Sequence, residues 1–290
     1  MADSLFGQSR DVVEAALPDR EPVVCPLCQC TPDLFAVDFQ GFHLARCPAC
    51  RLEFQHPRPL FEQLADAVYN ESYHPDDHHN VDGTRARIFM RQLSRLERSV
   101  IASPASVLDV GCGAGAFLKF AEERGWEVAG TDVAVTDVVR QTDAKVWEGK
   151  LSDIAFAEER FAAIRFNHVL EHTQNPLVEL RRARSLVADD GVLLIGVPNI
   201  GGLSIRLKSL QSRMGLKSQS WKHYGALHHL WFFTPATLSA LVRDAGFEVL
   251  AWETHVTDRS DRSGWISAAT RAPLEALRLG GILDLYARPR

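Results

Sequence analysis

Between Asp190 and Asp244 the chain has no acidic residue at all. Long apolar runs are missing as well. No segment approaches the roughly 20 apolar residues that cross a bilayer, and Gly191–Pro198 has the length of a buried strand. The first residues carry Asp3 and Arg10 without an apolar stretch, so they do not read as a signal peptide, and a cytoplasmic protein is expected. A basic excess is lacking: the net charge is −5, so no global positive field draws the whole molecule onto nucleic acid. Internal repeats and low-complexity segments are absent too. What is present is 290 residues with 46% hydrophobic content, enough for one α/β core and a small appendage.

Cysteine is sparse, yet four of the six form two knuckles, Cys25-Pro-Leu-Cys28 and Cys47-Pro-Ala-Cys50. Each knuckle can aim two sulfurs at one ion, and two knuckles complete a tetrahedron, the pattern of a zinc ribbon. Such a zinc would be structural, because four thiolates leave no open coordination position. The alternative is a pair of disulfides or a redox dithiol, which a reducing cytosol disfavours. Cys30 and Cys112 fall outside the pattern.

The chain divides into a leader, frayed or helical, over 1–20, a ribbon over 21–58, a helical cap and connector over 59–104, and an α/β domain over 105–290 with a basic insertion at 199–230. Phe35–Phe39 and Phe42–Arg46 predict a hairpin between the knuckles. His74-Pro-Asp-Asp-His-His79 reads as a polar turn. A basic helix is expected from Thr84 to Val100. Beyond it β and α patterns alternate, which argues for a parallel sheet with covering helices. Strands are expected at 106–110, 127–132, 144–148, 162–168, 191–197, 247–255 and 282–287. Helices are expected at 114–124, 134–141, 176–188 and 235–245, the last stopped by Gly246.

In Val107-Leu-Asp-Val-Gly-Cys-Gly-Ala-Gly-Ala-Phe117 an apolar strand ends at three alternating glycines. Gly111, Gly113 and Gly115 fall at i, i+2 and i+4, whereas a dinucleotide fingerprint needs i, i+2 and i+5. Asp109 before the turn would repel a phosphate. With Asp132 ending the next strand, the loop resembles the cofactor loop of class I S-adenosylmethionine-dependent methyltransferases. Phe166-Asn-His-Val-Leu-Glu-His172 with Pro176 resembles that family's fourth motif, and His229-Leu-Trp-Phe-Phe-Thr-Pro235 is also characteristic. One departure is Ala162, where the family has an aspartate. The likeness covers residues 60–255. With the ribbon, the chain looks like zinc-ribbon methyltransferases of sugar and polysaccharide tailoring.

The resemblance implies a Rossmann-like seven-stranded, mostly parallel sheet with a small N-terminal zinc ribbon, and S-adenosylmethionine as cofactor. It puts Asp109 near the methionine amino group and the Gly111–Gly115 backbone against the cofactor. Asp132 would receive the ribose hydroxyls; capping the following helix is its alternative. Leu151 and Asp153 would cover the adenine, His168 would line the cofactor, and Tyr73, with Tyr69, would fold over the methionine end. For Tyr69, core packing weighs equally. A hydroxyl acceptor needs a base, and Glu171 and His172 are the preferred pair; hydrogen-bonded wall residues are the alternative for the histidines.

Arg206, Lys208, Arg213, Lys217 and Lys222 in the acid-free stretch suggest an anionic acceptor, such as a nucleotide sugar or a lipid-linked glycan. Leu203, Leu207, Leu210 and Met214 recur there at helical spacing. A helix over 203–217 could rest on the inner face of an anionic membrane, or simply pack its apolar side on the sheet. The favoured function is O-methylation of a sugar in glycan biosynthesis. Arg87, Arg91, Arg95 and Arg98 along one helix raise RNA methylation as an alternative, disfavoured by the net charge. A noncatalytic scaffold is the third reading.

Overall fold

A computed structural model describes residues 5–69, 83–100, 105–157, 159–256 and 271–290. The chain opens with α1 (Arg10–Ala16), then β1 (Arg20–Glu21), β2 (Asp33–Val37), β3 (His43–Arg46), β4 (Glu53–Gln55) and β5 (Arg58–Pro59). Next come α2 (Phe61–Ala67), α3 (Gly83–Glu97), β6 (Ser106–Val110), α4 (Ala116–Glu122), β7 (Glu127–Asp132), α5 (Asp137–Arg140) and β8 (Lys145–Glu148). After these run β9 (Phe161–Asn167), α6 (Pro176–Leu186), β10 (Val187–Pro198), α7 (Leu203–Arg213), β11 (Trp231–Phe232), α8 (Pro235–Asp244), β12 (Phe247–His255) and β13 (Ile282–Pro289).

Seven strands form one sheet in the order β12-β13-β10-β9-β6-β7-β8. Only β13 runs against its neighbours, so the sheet is mostly parallel and Rossmann-like, as expected. β6, β9 and β10 are apolar almost throughout because helices cover both faces. On one face Phe89, Leu93 and Leu96 of α3 pack with Phe117 and Phe120 of α4. On the other, α6 and α8 share a larger core with Phe166, Ile195 and Phe247. Asn175 caps α6 ahead of Pro176, and Thr234 closes a capping box with Thr237 at the start of α8.

Two elements differ clearly from expectation. β10 starts at Val187 rather than 191, because Val187 pairs with Phe161 across a register shift before Val192. Gly191 permits this, since a Cβ there would stand 2.9 Å from the Ala162 carbonyl oxygen. α5 is shorter than 134–141, and its N-cap is Thr136. The leader takes the helical alternative, α1, and its Leu5, Val13 and Leu17 are buried in the larger core.

The small sheet has the order β11-β4-β3-β2, so its edge strand comes from beyond residue 230. Trp231 pairs with Phe54 and Phe232 with Glu53. No helix among the described residues is long and apolar enough to cross a membrane.

Candidate active site

The glycine turn lies between β6 and α4. Gly111, Gly113 and Gly115 have φ of 71°, 53° and 77°, a region that side chains disfavour. A Cβ on Gly111 would stand 2.3 Å from Val169 Cγ2, and one on Gly115 2.8 Å from Val139 Cγ2. The Gly111 and Cys112 N–H groups both donate to the Thr131 carbonyl, at 2.7 and 3.0 Å. Asp132, at the end of β7, accepts from the Gly113 N–H at 2.8 Å through one oxygen and from the Ala134 N–H at 3.1 Å through the other. It therefore braces the turn and does not cap α5, correcting the alternative weighed from sequence. A carboxylate oxygen can take about two hydrogen bonds, so Asp132 fits a pair of vicinal hydroxyls as well.

Asp109 is buried two residues before the turn, with Arg165 Nη1 of β9 at 2.7 Å. Burial pushes its pKa up to about 6, with Arg165 opposing the shift. Arg165 is closed in by the Phe117 ring, 3.9 Å below its guanidinium, and its Nε donates to Gln92 of α3. Gln92 Nε2 in turn reaches Asn167 at 3.0 Å and Asp284 at 3.3 Å. The three meet over Gly196, where a Cβ would stand 2.7 Å from Asn167 Oδ1. Arg91 pairs with Asp284 at 3.0 Å, and Arg95 lies over the Tyr286 ring. Half of the basic helix face is thus spent inside the protein.

β9 ends at Asn167. His168 turns the chain with φ 57°, and the single helical turn Leu170–His172 follows. Glu171 is 1% exposed, and neither carboxylate oxygen has a hydrogen bond among the described residues. Three imidazoles face it instead. His168 Nδ1 is 3.3 Å away and His172 Nε2 3.8 Å. Glu171, His172 and His229 offer ligand or proton-accepting atoms within 4.8 Å of one another. Burial alone would raise Glu171, but His168, His172 and His229 outweigh it and hold its pKa at about 2. For His168, desolvation is outweighed by nearby Glu171, which raises it. Desolvation lowers His172, and it lowers His229 to about 4. Both are neutral near pH 7. His172 Nδ1 lies 2.6 Å from the His228 carbonyl and His229 Nδ1 2.9 Å from the Tyr224 carbonyl, so each ring donates there and turns a basic Nε2 elsewhere.

Leu151 is buried in the larger core after β8, and Asp153 accepts from the Ser152 hydroxyl. Tyr69 donates its hydroxyl to the His228 carbonyl and sets its ring edge-on to His172 at 5.6 Å. Tyr73 and the 74–79 turn lie outside the described residues. Sequence reasoning missed Arg165 and His229 as site residues. Arg165 had a signal: it is the one charge in an otherwise apolar strand. His229 was noted as the first residue of the His229–Pro235 motif, with no role in the site.

The four knuckle cysteines converge within 4.8 Å, with Cys25 and Cys50 sulfurs 3.5 Å apart. Sulfurs on one tetrahedral zinc stand about 3.8 Å apart. Both knuckles make the same turn. The Cys25 N–H donates to Cys30 C=O and the Cys47 N–H to Leu52 C=O, with Gln29 and Arg51 at φ 54° and 68°. Cys30 therefore occupies the place of Leu52 and is no ligand. This donor set fits a four-thiolate metal ion.

A family profile described as "Methyltransferase domain" matches residues 81–251, so the four knuckle cysteines precede the matched span. Among curated relatives, a ubiquinone biosynthesis O-methyltransferase of Azorhizobium caulinodans is 31% identical over 153 residues, 49% of this chain and 58% of that protein. The chain thus spans under two thirds of that relative. Its counterpart from Cereibacter sphaeroides is 26% identical over 57% of this chain and 73% of its own length. Among solved structures, a Haloferax volcanii methyltransferase complex with the Trm112 activator matches at TM-score 0.55 and 15% identity, covering 76% of this chain and 96% of that one. The 1,6-didemethyltoxoflavin-N1-methyltransferase of Burkholderia thailandensis, with bound S-adenosylhomocysteine, matches at TM-score 0.53 and 18% identity, covering 89% of this chain and 99% of that one. These structures share the fold.

Proposed function

Because this chain belongs to the methyltransferase-domain family, we propose that it methylates a hydroxyl oxygen of a small acceptor, with S-adenosylmethionine as donor. The observation that carries the reading is the buried Glu171 carboxylate beside the neutral His172 and His229 imidazoles at the end of β9. When bound, the donor supplies an electrophilic methyl group. Asp132 and the Gly111–Gly115 turn hold its ribose and backbone-facing side, and Asp109 meets its ammonium group. His172 Nε2 takes the hydroxyl proton of the acceptor, and Glu171 stabilises the imidazolium that results. His229 closes the other side of the carboxylate. Oxygen as the methylated atom agrees with the relatives named O-methyltransferases. His172→Ala should cut labelled methyl incorporation into a cell extract at least about a hundredfold while S-adenosylhomocysteine binding by calorimetry holds. Unchanged incorporation would remove His172 from the mechanism.

The acceptor is anionic and carried at a membrane surface. α7 does not pack its apolar side on the sheet. Leu207, Leu210 and Met214 are 54%, 53% and 62% exposed beside Arg206, Arg213 and Lys217. Apolar side chains flanked by cations suit an anionic bilayer. A lipid-linked sugar and a lipid-soluble intermediate of ubiquinone biosynthesis, the process that names the relatives, both fit this reading. Flotation with vesicles containing anionic lipid should retain the chain, and Leu207→Glu/Leu210→Glu should release it. Equal recovery with neutral vesicles would reject the charge-based reading. The four cysteines hold a structural zinc, supported by the paired knuckle turns. RNA methylation is disfavoured because Arg91 and Arg95 are engaged internally.

A further inference from the structure

The four-cysteine ribbon is built into the wall of the histidine cluster. The Cys47–Cys50 knuckle runs straight into β4, and all three residues of that strand are buried. Each of the three touches the segment that carries His228 and His229. Glu53 accepts the Tyr224 hydroxyl at 2.7 Å and pairs through its other oxygen with Arg46. Phe54 packs its ring on Trp231. Gln55, 1% exposed, donates from Nε2 to the carbonyls of both Ala226 and His229, the latter at 2.7 Å, and its backbone N–H donates to Leu230 C=O. Leu230 then closes the circuit, its N–H donating to the Glu171 carbonyl at 2.8 Å.

We infer that Gln55 and Glu53 of the ribbon are positioning residues that set the His228–His229 turn against Glu171 and His172, so that the ribbon serves the catalytic cluster as a scaffold. The turn's own bonds run from the His228 and His229 N–H groups to the Gly225 carbonyl, and Tyr69 and β4 supply outside contacts. His229 is oriented through the Tyr224 carbonyl, and Tyr224 is anchored by Glu53. His172 is oriented through the His228 carbonyl, which lies between Ala226 and His229, the two residues that Gln55 grips. A ribbon that only recruited a partner would not need a buried glutamine spent on two carbonyls over 170 positions downstream. A tetrathiolate metal held by the knuckles would fix the entry to β4, so that its removal would act on the same turn.

The inference rests on the reading of Glu171, His172 and His229 as the reactive cluster, and the test separates the two. In the full chain, the imidazole Cε1–H resonances of His172, His228 and His229 are followed by NMR in the wild type, in Gln55→Leu and in Glu53→Gln. Binding of S-adenosylhomocysteine is measured beside them by calorimetry. Gln55→Leu should displace the three imidazole signals and lower labelled methyl incorporation into a cell extract at least about tenfold. Affinity for S-adenosylhomocysteine should stay within about twofold, because the glycine turn lies on other strands. Stripping the ribbon metal with a chelator should move the same three signals, and added zinc alone should return them. Unmoved histidine signals in Gln55→Leu overturn the inference, as does a loss of S-adenosylhomocysteine binding in step with activity, which marks general unfolding. Should His172→Ala keep full turnover, the catalytic reading fails while the NMR shifts still decide the positioning role.

Discussion

Arg165 rests on the Phe117 ring with Asp109 and Gln92 on its other sides, so no bulk water can replace a lost partner. Arg165→Met strands the Asp109 carboxylate in the interior and should cost about 3–5 kcal/mol in urea unfolding. Adding Asp109→Asn removes the stranded charge and should recover part of that loss. An unchanged midpoint in the single variant would show that water reaches the pair. The histidine cluster sets a pH dependence of its own. Burial holds His229 at about 4, below its ordinary 6.5, so the unfolded chain binds the proton first as pH falls. Its contribution is intact above about pH 6.5 and is lost on acidification toward pH 4, on the order of 3 kcal/mol. Glu171 works in a lower window. Its folded pKa of about 2 lies below 4.5, so its stabilisation is kept above pH 4.5 and lost as pH falls toward 2. His229→Gln should therefore flatten the stability profile between pH 4 and 6.5 more than below pH 4.

Among the elements, the β6–α4 turn tolerates little change. Gly111→Ala meets both a left-handed backbone and Val169 at 2.3 Å, and should abolish S-adenosylhomocysteine binding while lowering the melting temperature by several degrees. Cofactor affinity within about twofold of wild type would mean that the turn can relax. This element was legible in the sequence because its signals are local: an apolar strand, three glycines and the acids Asp109 and Asp132 lie within 27 residues, 106–132. β7 and β12 matched expectation for the same reason, each beginning within two residues of a glycine, Gly125 and Gly246. Partners far apart in sequence were not legible. Asp109 and Arg165 are 56 residues apart, and either reads alone as a polar residue in an apolar strand. β11 has only two residues, too short for any periodicity, and its partner β4 lies more than 170 residues upstream. His229 was visible as a residue, but its role depends on that pairing.

At the scale of the molecule, the ribbon and the Rossmann-like sheet share one core. Cys25, Phe42, Cys47 and Phe54 belong to the same buried cluster as Phe166, Ile195 and Leu238. Arg58 adds a bond to the Gln174 carbonyl beside the Leu170–His172 turn, and Trp231 donates from its indole to the Thr173 carbonyl. A domain joined by a flexible linker would unfold separately from its neighbour; two bodies with a common core unfold together. The full chain should accordingly melt in one calorimetric transition. Removing the proposed metal of the four cysteines should move that whole transition down by several degrees, since about 1 kcal/mol corresponds to 2–4 °C at this size. Cys47→Ser/Cys50→Ser should shift it in the same way with no chelator present. The contrary result is an early, separate transition of the ribbon that leaves the main melt in place. That would mean the interface between β4 and β11 opens without disturbing the sheet, and the histidine turn would then be held by the catalytic domain alone.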